Sequence, residues 1–140
     1  MSQNQRDKFT NINSVKQYQP KFPLVYDPIY GPYSAITEKD ESLSQNFVNL
    51  LLTSPGEWPM NPELGIGLKK YLFEQSNMNI LQSLKANVTK QLSKYLPHIK
   101  LHSLEKVNNP EDLDNNTMTI KINYIIRNNT NANITAYVDK

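Results

Sequence analysis

The sequence predicts an α+β fold: two main helices packed on one face of a small, mostly antiparallel β-sheet, preceded by an extended N-terminal arm. Three observations carry this prediction. Leu81, Leu84, Val88, Leu92 and Tyr95 recur at helical spacing and share one face, and Pro97 ends the run. Leu43, Phe47, Leu50 and Leu51 form a second helical stripe ~100° wide. Met118, Ile120, Ile122, Tyr124 and Ile126 alternate strictly with Thr117, Thr119, Lys121, Asn123 and Ile125, which is the pattern of a half-buried strand.

In chain order, residues 1–20 are rich in Asn, Gln and Ser. They carry too few large apolar side chains to offset the entropy of ordering, so a flexible arm is expected. Residues 21–36 form a proline-rich strap in which Phe22, Leu24, Val25, Tyr26, Ile29, Tyr30 and Tyr33 alternate with Pro23, Pro28 and Pro32, just after Pro20. Prolines at this density oppose a helix and a central strand alike. The strap should lay its rings on an apolar surface, either the chain's own core or a partner. Thr37 to Asp40 supplies capping chemistry for a helix over 40–53. Val48 and Leu52 fall off its apolar stripe, which predicts cover on two sides.

A motif loop follows over 54–74. Ser54-Pro55-Gly56 stops the helix, and Asn61-Pro62-Glu63 reads as a fresh helix start, with a capping oxygen, proline at the first helical position and a carboxylate in the first turn. Gly65 ends that turn in a left-handed conformation, and Leu68, Tyr71 and Leu72 resume helical spacing. Pro55, Gly56, Pro59, Pro62, Gly65 and Gly67 therefore read as loop-shaping residues. The second main helix covers 77–95 and the sheet covers 99–138. Ile99 to Val107 is a strand whose parity Leu104 breaks, a hint of a bulge. Residues 108–116 read as a polar loop, and Asn128-Asn129-Thr130-Asn131 as a turn. Ile134, Ala136 and Val138 read as a short last strand at an edge.

The chain's 140 residues suit one domain over 21–140 behind the arm. An apolar fraction of 38% and a mean hydropathy of -0.61 put much of the chain against water or polar partners. The formal net charge of +2 gives no whole-protein field for nucleic acid or an anionic membrane. The absence of cysteine removes disulfides, thiolate metal sites and cysteine nucleophiles. No apolar leader and no run near the ~20 residues of a membrane span occur, so a soluble protein made in the cytosol is expected.

Chemistry-bearing patterns are sparse. His98 and His102 lie at the start of a strand at a spacing that sets them ~13 Å apart, too far to share an ion. Gly65-Ile66-Gly67 lacks the strand and third glycine of a dinucleotide fingerprint, and no cofactor is expected. Glu57, Glu63 and Glu74 offer the paired carboxyls of a glycosidase, but Trp58 has no second aromatic platform and Glu63 suits a helix N-terminus. Lys90 and Lys94 project from the face opposite the apolar stripe of the second helix, with Lys85 nearer its edge. They form a solvated face, a surface for an acidic protein, or a nucleic-acid contact that lacks interleaved stacking rings.

Thr53-Ser54-Pro55-Gly56-Glu57, Met60-Asn61-Pro62-Glu63, Gly65-Ile66-Gly67-Leu68 and Tyr71-Leu72-Phe73-Glu74 together resemble the gene-25-like baseplate wedge family of contractile phage tails, related to the baseplate component of type VI secretion machines. The resemblance extends through Phe22-Pro23-Leu24, Tyr30-Gly31-Pro32-Tyr33 and Ser44-Gln45-Asn46-Phe47. It implies a structural protein, not an enzyme, present in multiple copies around a symmetric baseplate assembled in the host cytoplasm. Its implied partners are other wedge proteins, the tail sheath protein and tube or hub-proximal proteins, with no nucleic acid and no membrane. Nucleation of the sheath is implied, with an extended strand from the first sheath ring received at an edge, here that of Ile134, Ala136 and Val138. Some members carry a lysozyme-like label, which keeps peptidoglycan cleavage as the alternative. Where the family commonly has a charged Glu-Pro-Arg docking corner, this chain has Leu96-Pro97-His98. Glu57, Trp58, Leu96, Pro97 and His98 complete the expected partner-binding set.

Overall fold

The computed structural model describes residues 16–27, 33–73, 78–107, 118–127 and 130–138. The expectations for the arm over 1–15, for Ile29 and Tyr30, for Glu74 and for the 108–116 loop lie outside the described residues. Two compact units are present, Met1–Gln45 and Asn46–Lys140.

In the first unit, β1 (Gln19–Pro20) pairs antiparallel with β2 (Ala35–Ile36). The Tyr18 N–H donates to the Ile36 carbonyl at 3.0 Å and the Lys21 N–H to the Ser34 carbonyl at 2.9 Å. The end of the expected flexible arm is thus a paired strand. Pro20 is compatible with it because this ladder is two-stranded and proline has no N–H to leave unpaired. Helix α1 (Lys39–Leu52) begins with Asp40 and Glu41 in its first turn, where carboxylates favour the positive end of the helix dipole. Its first half holds the strap. The Gln45 amide donates to the Pro20 carbonyl and accepts from the Phe22 N–H, both at 2.9 Å. Gln19 donates to the Ser42 carbonyl at 3.2 Å, and Lys21 pairs with Glu41 at 2.8 Å. Phe22, Leu24, Val25, Tyr26 and Tyr33 are exposed, so of the two surfaces expected to receive the strap's side chains the chain's own core does not cover these. What anchors the strap is backbone and amide hydrogen bonding.

The second unit contains the rest of α1, the short helix α2 (Leu68–Phe73), helix α3 (Met78–Tyr95) and a sheet of β3 (Ile99–Val107), β4 (Met118–Ile126) and β5 (Thr130–Val138). The sheet is antiparallel in the order β3-β4-β5. Its central strand buries Ile120, Ile122, Tyr124 and Ile126, as the alternation predicts. Phe47 of α1 meets Tyr124 edge-on with ring centroids 4.9 Å apart, and Leu84, Val88 and Leu92 of α3 are buried with them. Leu52 is 51% exposed, so the expected cover on a second face of α1 fails there.

The bulge falls between Leu101 and Ser103, leaving His102 as the extra residue. Leu101 stands opposite Tyr124 and Leu104 opposite Ile122, so the inserted residue returns Leu104 to the register of the buried face after the break in parity. The last strand is longer than expected. It pairs with β4 over nine residues from Thr130 to Val138, so the polar stretch that reads as a turn is already partly ladder. Backbone pairing with the neighbouring strand, absent from composition, sets that boundary.

Candidate functional site

The loop after α1 closes on its own origin. The Ile66 N–H donates to the Leu50 carbonyl at 3.1 Å and the Gly67 N–H to the Thr53 carbonyl at 2.8 Å, satisfying acceptors that a helix end leaves open. This return requires glycine at two points. Gly65 has φ +112°, and a Cβ there would stand 2.3 Å from the Thr53 carbonyl oxygen. Gly67 has φ +66° and sits against the Pro55 ring. Within the loop, the Gly56 N–H donates to the Pro62 carbonyl at 2.9 Å and the Asn61 N–H to the Trp58 carbonyl at 3.0 Å. The expected helix start at Asn61-Pro62-Glu63 is instead a single turn, closed by the Leu64 N–H on the Asn61 carbonyl at 3.0 Å. The Asn61 side chain, needed for a cap, is used elsewhere.

Helix α3 clamps this loop through polar residues beside its apolar stripe. The buried Gln91 donates to the Glu63 carbonyl at 2.8 Å and accepts from the Gly65 N–H at 3.3 Å. Asn61 and Tyr95 exchange hydrogen bonds of 3.0 and 3.1 Å. Asn87 reaches the Tyr71 hydroxyl at 3.2 Å. Lys94, expected on the solvated face, pairs with Glu63 at 2.9 Å. None of these contacts was named from sequence. The available signal was the spacing of Asn87, Gln91 and Tyr95, which lie one turn apart and abut the apolar stripe.

Trp58 and Met60 sit at the tip of the clamped loop with 57% and 95% of their surface exposed. Glu57 is exposed beside them. The Leu96-Pro97-His98 turn joins α3 to β3, so His98 precedes the strand on which the sequence placed it. The Arg127 N–H donates to the His98 carbonyl at 3.0 Å, and the Arg127 guanidinium lies 3.5 Å from His98 Nδ1. Ile134, Ala136 and Val138 stand opposite Ile122, Ile120 and Met118 along β5. The loop tip and the turn gather at the C-terminal end of α3, whereas β5 presents a sheet edge.

Glu63 is not set up as the general acid of a glycosidase. The hydrogen bond and charge of Lys94, with the charge of Lys90 added, hold the Glu63 carboxyl below its ordinary value. A glycosidase general acid needs its carboxyl raised. Among the described residues no group of His, Asp and Glu could hold a metal ion, and no helix is long and apolar enough to cross a membrane.

A protein from Geobacter sulfurreducens, named provisionally as a tail lysozyme, superposes with a TM-score of 0.60 at 24% identity, over 76% of this chain and 95% of its own. A chain of the anti-feeding prophage baseplate superposes with a TM-score of 0.57 at 16% identity, over 91% of this chain and 87% of its own. At these identities the likeness is one of fold. No curated protein sequence matches the chain. The family model described as baseplate wedge protein gp25 matches residues 37–131, a span that holds α1, the clamped loop, α3 and most of the sheet. The chain belongs to the gp25 baseplate wedge family and is a structural protein of a contractile-tail baseplate.

Proposed function

We propose that this protein nucleates assembly of the tail sheath on the baseplate by accepting an extended strand from the first sheath ring at the outer edge of β5. The observation that carries the reading is the contrast between the two outer strands of the sheet. Exposed edges are ordinarily blunted by charge, proline or bulges, because an unpaired ladder recruits other chains. β3 has such devices: the bulge at His102, and Lys100, Glu105 and Lys106 along its length. β5 has neither charge nor proline over Thr130–Val138, and its register with β4 is unbroken. Such an edge supplies main-chain hydrogen bonds to an added strand, and alternate side chains fix its register.

The other partners follow from the same reading: neighbouring wedge proteins, and proteins of the tube or hub, met while the baseplate is assembled in the host cytoplasm. The reading gives Glu63 a structural part, since it pairs with Lys94 and its carboxyl is driven in the direction opposite to that of a general acid.

Co-purification with the tail sheath protein of the same genome tests the proposal, comparing the full chain with one ending before Asn133 and checking the fold of each by circular dichroism. Capture that disappears in a truncated but folded chain supports strand addition at β5. Capture that survives truncation moves the interface elsewhere, and a full-length chain that captures no sheath protein removes the initiator role. A muramidase assay on peptidoglycan is expected to give no turnover.

A further inference from the structure

We infer that the outward face of the strap is a self-association surface, on which two copies of this chain meet through an isologous contact in the free protein. The strap lies before residue 37, where the match to the family model begins, and the inference does not depend on strand addition at β5.

The strap is polar toward the chain and apolar toward water. Its inner side is spent on α1: the Gln45 amide bonds the Phe22 N–H and the Pro20 carbonyl, Gln19 donates to the Ser42 carbonyl, and Lys21 pairs with Glu41. Its outer side carries Phe22, Leu24, Val25, Tyr26 and Tyr33, each at least half exposed and Tyr26 at 72%. Backbone bonds at Ser34 tie these segments together. The Ser34 carbonyl accepts from the Lys21 N–H at 2.9 Å and the Ser34 N–H donates to the Val25 carbonyl at 3.0 Å, so the stretches holding Phe22, Val25 and Tyr33 converge on one residue.

The patch is also uncharged. Between Tyr18 and Tyr26 the single charged residue is Lys21, which Glu41 neutralises at 2.8 Å, and Tyr33 to Ile36 carries no charge. A partner selected by charge therefore has nothing to read here. In an isologous contact the same patch meets itself, and a neutral apolar patch does so without like-charge repulsion.

The area suits a weak dimer. With ~150–250 Å² in a whole aromatic side chain, three rings and two aliphatic chains at this exposure present on the order of 500 Å². That is large for an apolar patch left in water on a monomer. Two such patches face to face bury on the order of 1,000 Å², the size at which specific interfaces begin. The ladder with β2 and the bonds to Gln45 already fix the strap backbone, so little ordering is left to oppose the contact.

The test is sedimentation equilibrium of the purified full chain over a concentration series, with circular dichroism to confirm the fold of each variant. The expected result is a weight-average mass that climbs from 16.2 kDa toward twice that value, with a dissociation constant on the order of 10–100 μM. Tyr26→Ser should weaken the association by about ten-fold or more. Met60→Ser, which removes an exposed apolar side chain outside the strap, should leave it unchanged, and so should added salt, because no ion pair crosses the contact. A chain that stays monomeric at the highest concentration overturns the inference, whether or not another protein takes the strap. Association that persists in Tyr26→Ser lies elsewhere, as at the β5 edge, and overturns it too. So does growth past the dimer, which an isologous contact does not permit. Capture of the sheath protein by the same preparations reads the β5 proposal separately, so the failure of one is distinguishable from the failure of the other.

Discussion

The Asn61 amide and the Tyr95 hydroxyl, 34 residues apart in sequence, exchange two hydrogen bonds of 3.0 and 3.1 Å. Each group is both donor and acceptor to the other, so removing either one leaves the survivor half-buried with both bonds lost. Tyr95→Phe and Asn61→Ala should each lower stability by about 1 kcal/mol in chemical denaturation. The double variant should cost little more than either single one, because both delete the same pair. Additive losses would mean that the two residues act independently.

Two glycines of the loop separate backbone strain from steric clash. Gly56 has φ +93° with nothing within 4 Å of an added Cβ, so Gly56→Ala should cost about 1 kcal/mol, the ordinary price of a left-handed L-residue. Gly65 adds to its φ of +112° a Cβ position 2.3 Å from the Thr53 carbonyl oxygen, which itself accepts from the Gly67 N–H. Gly65→Ala should cost about 3 kcal/mol and loosen the return of the loop to α1. Thermal melts of the two variants decide it, with Gly65→Ala clearly the lower.

The Glu63–Lys94 pair predicts a pH response of known sign. Lys94 holds the Glu63 carboxyl below its ordinary value of 4.5, so the pair's contribution is present above that value and is lost as pH falls through the lower, folded-state midpoint. Both groups are exposed, so the response belongs in a side-chain titration and not in global stability. Carbon-detected NMR should place the Glu63 midpoint below 4.5 in the parent chain and return it upward in Lys94→Met. An unchanged midpoint in Lys94→Met would show that the contact is not formed in solution.

Much of the fold is legible in the sequence because the relevant signals are local. The strict alternation from Met118 to Ile126 identifies β4, and the misplaced parity of Leu104 announces the bulge that the register then shows at His102. The loop is legible as a shape, since Pro55, Gly56, Gly65 and Gly67 constrain backbone whatever surrounds them. What holds it is not legible. Glu63 meets the rules for a helix start, yet it is Lys94, 31 residues on, that decides its role. Tyr95 continues an apolar stripe, yet its hydroxyl is taken by Asn61. Gln91 looks like a polar position on a helix and proves to be buried, bridging two backbone groups of the loop. Each of these is a contact between segments distant in sequence, and neither periodicity nor capping preference encodes the partner. The strap's aromatic composition reads as rings laid on an apolar surface, the chain's own or a partner's, and amide hydrogen bonds to Gln45 fix it with Phe22 exposed.

The most direct test of sheath initiation at the β5 edge is amide hydrogen exchange over Thr130–Val138, measured on the full chain alone and with the purified tail sheath protein of the same genome. Alternate amides of β5 face away from β4 and, among the described residues, have no ladder partner until a strand is added. The predicted result is slowed exchange at those alternate positions on binding, with β3 amides unchanged. Sheath protein that binds while exchange along β5 stays the same would contradict strand addition at this edge.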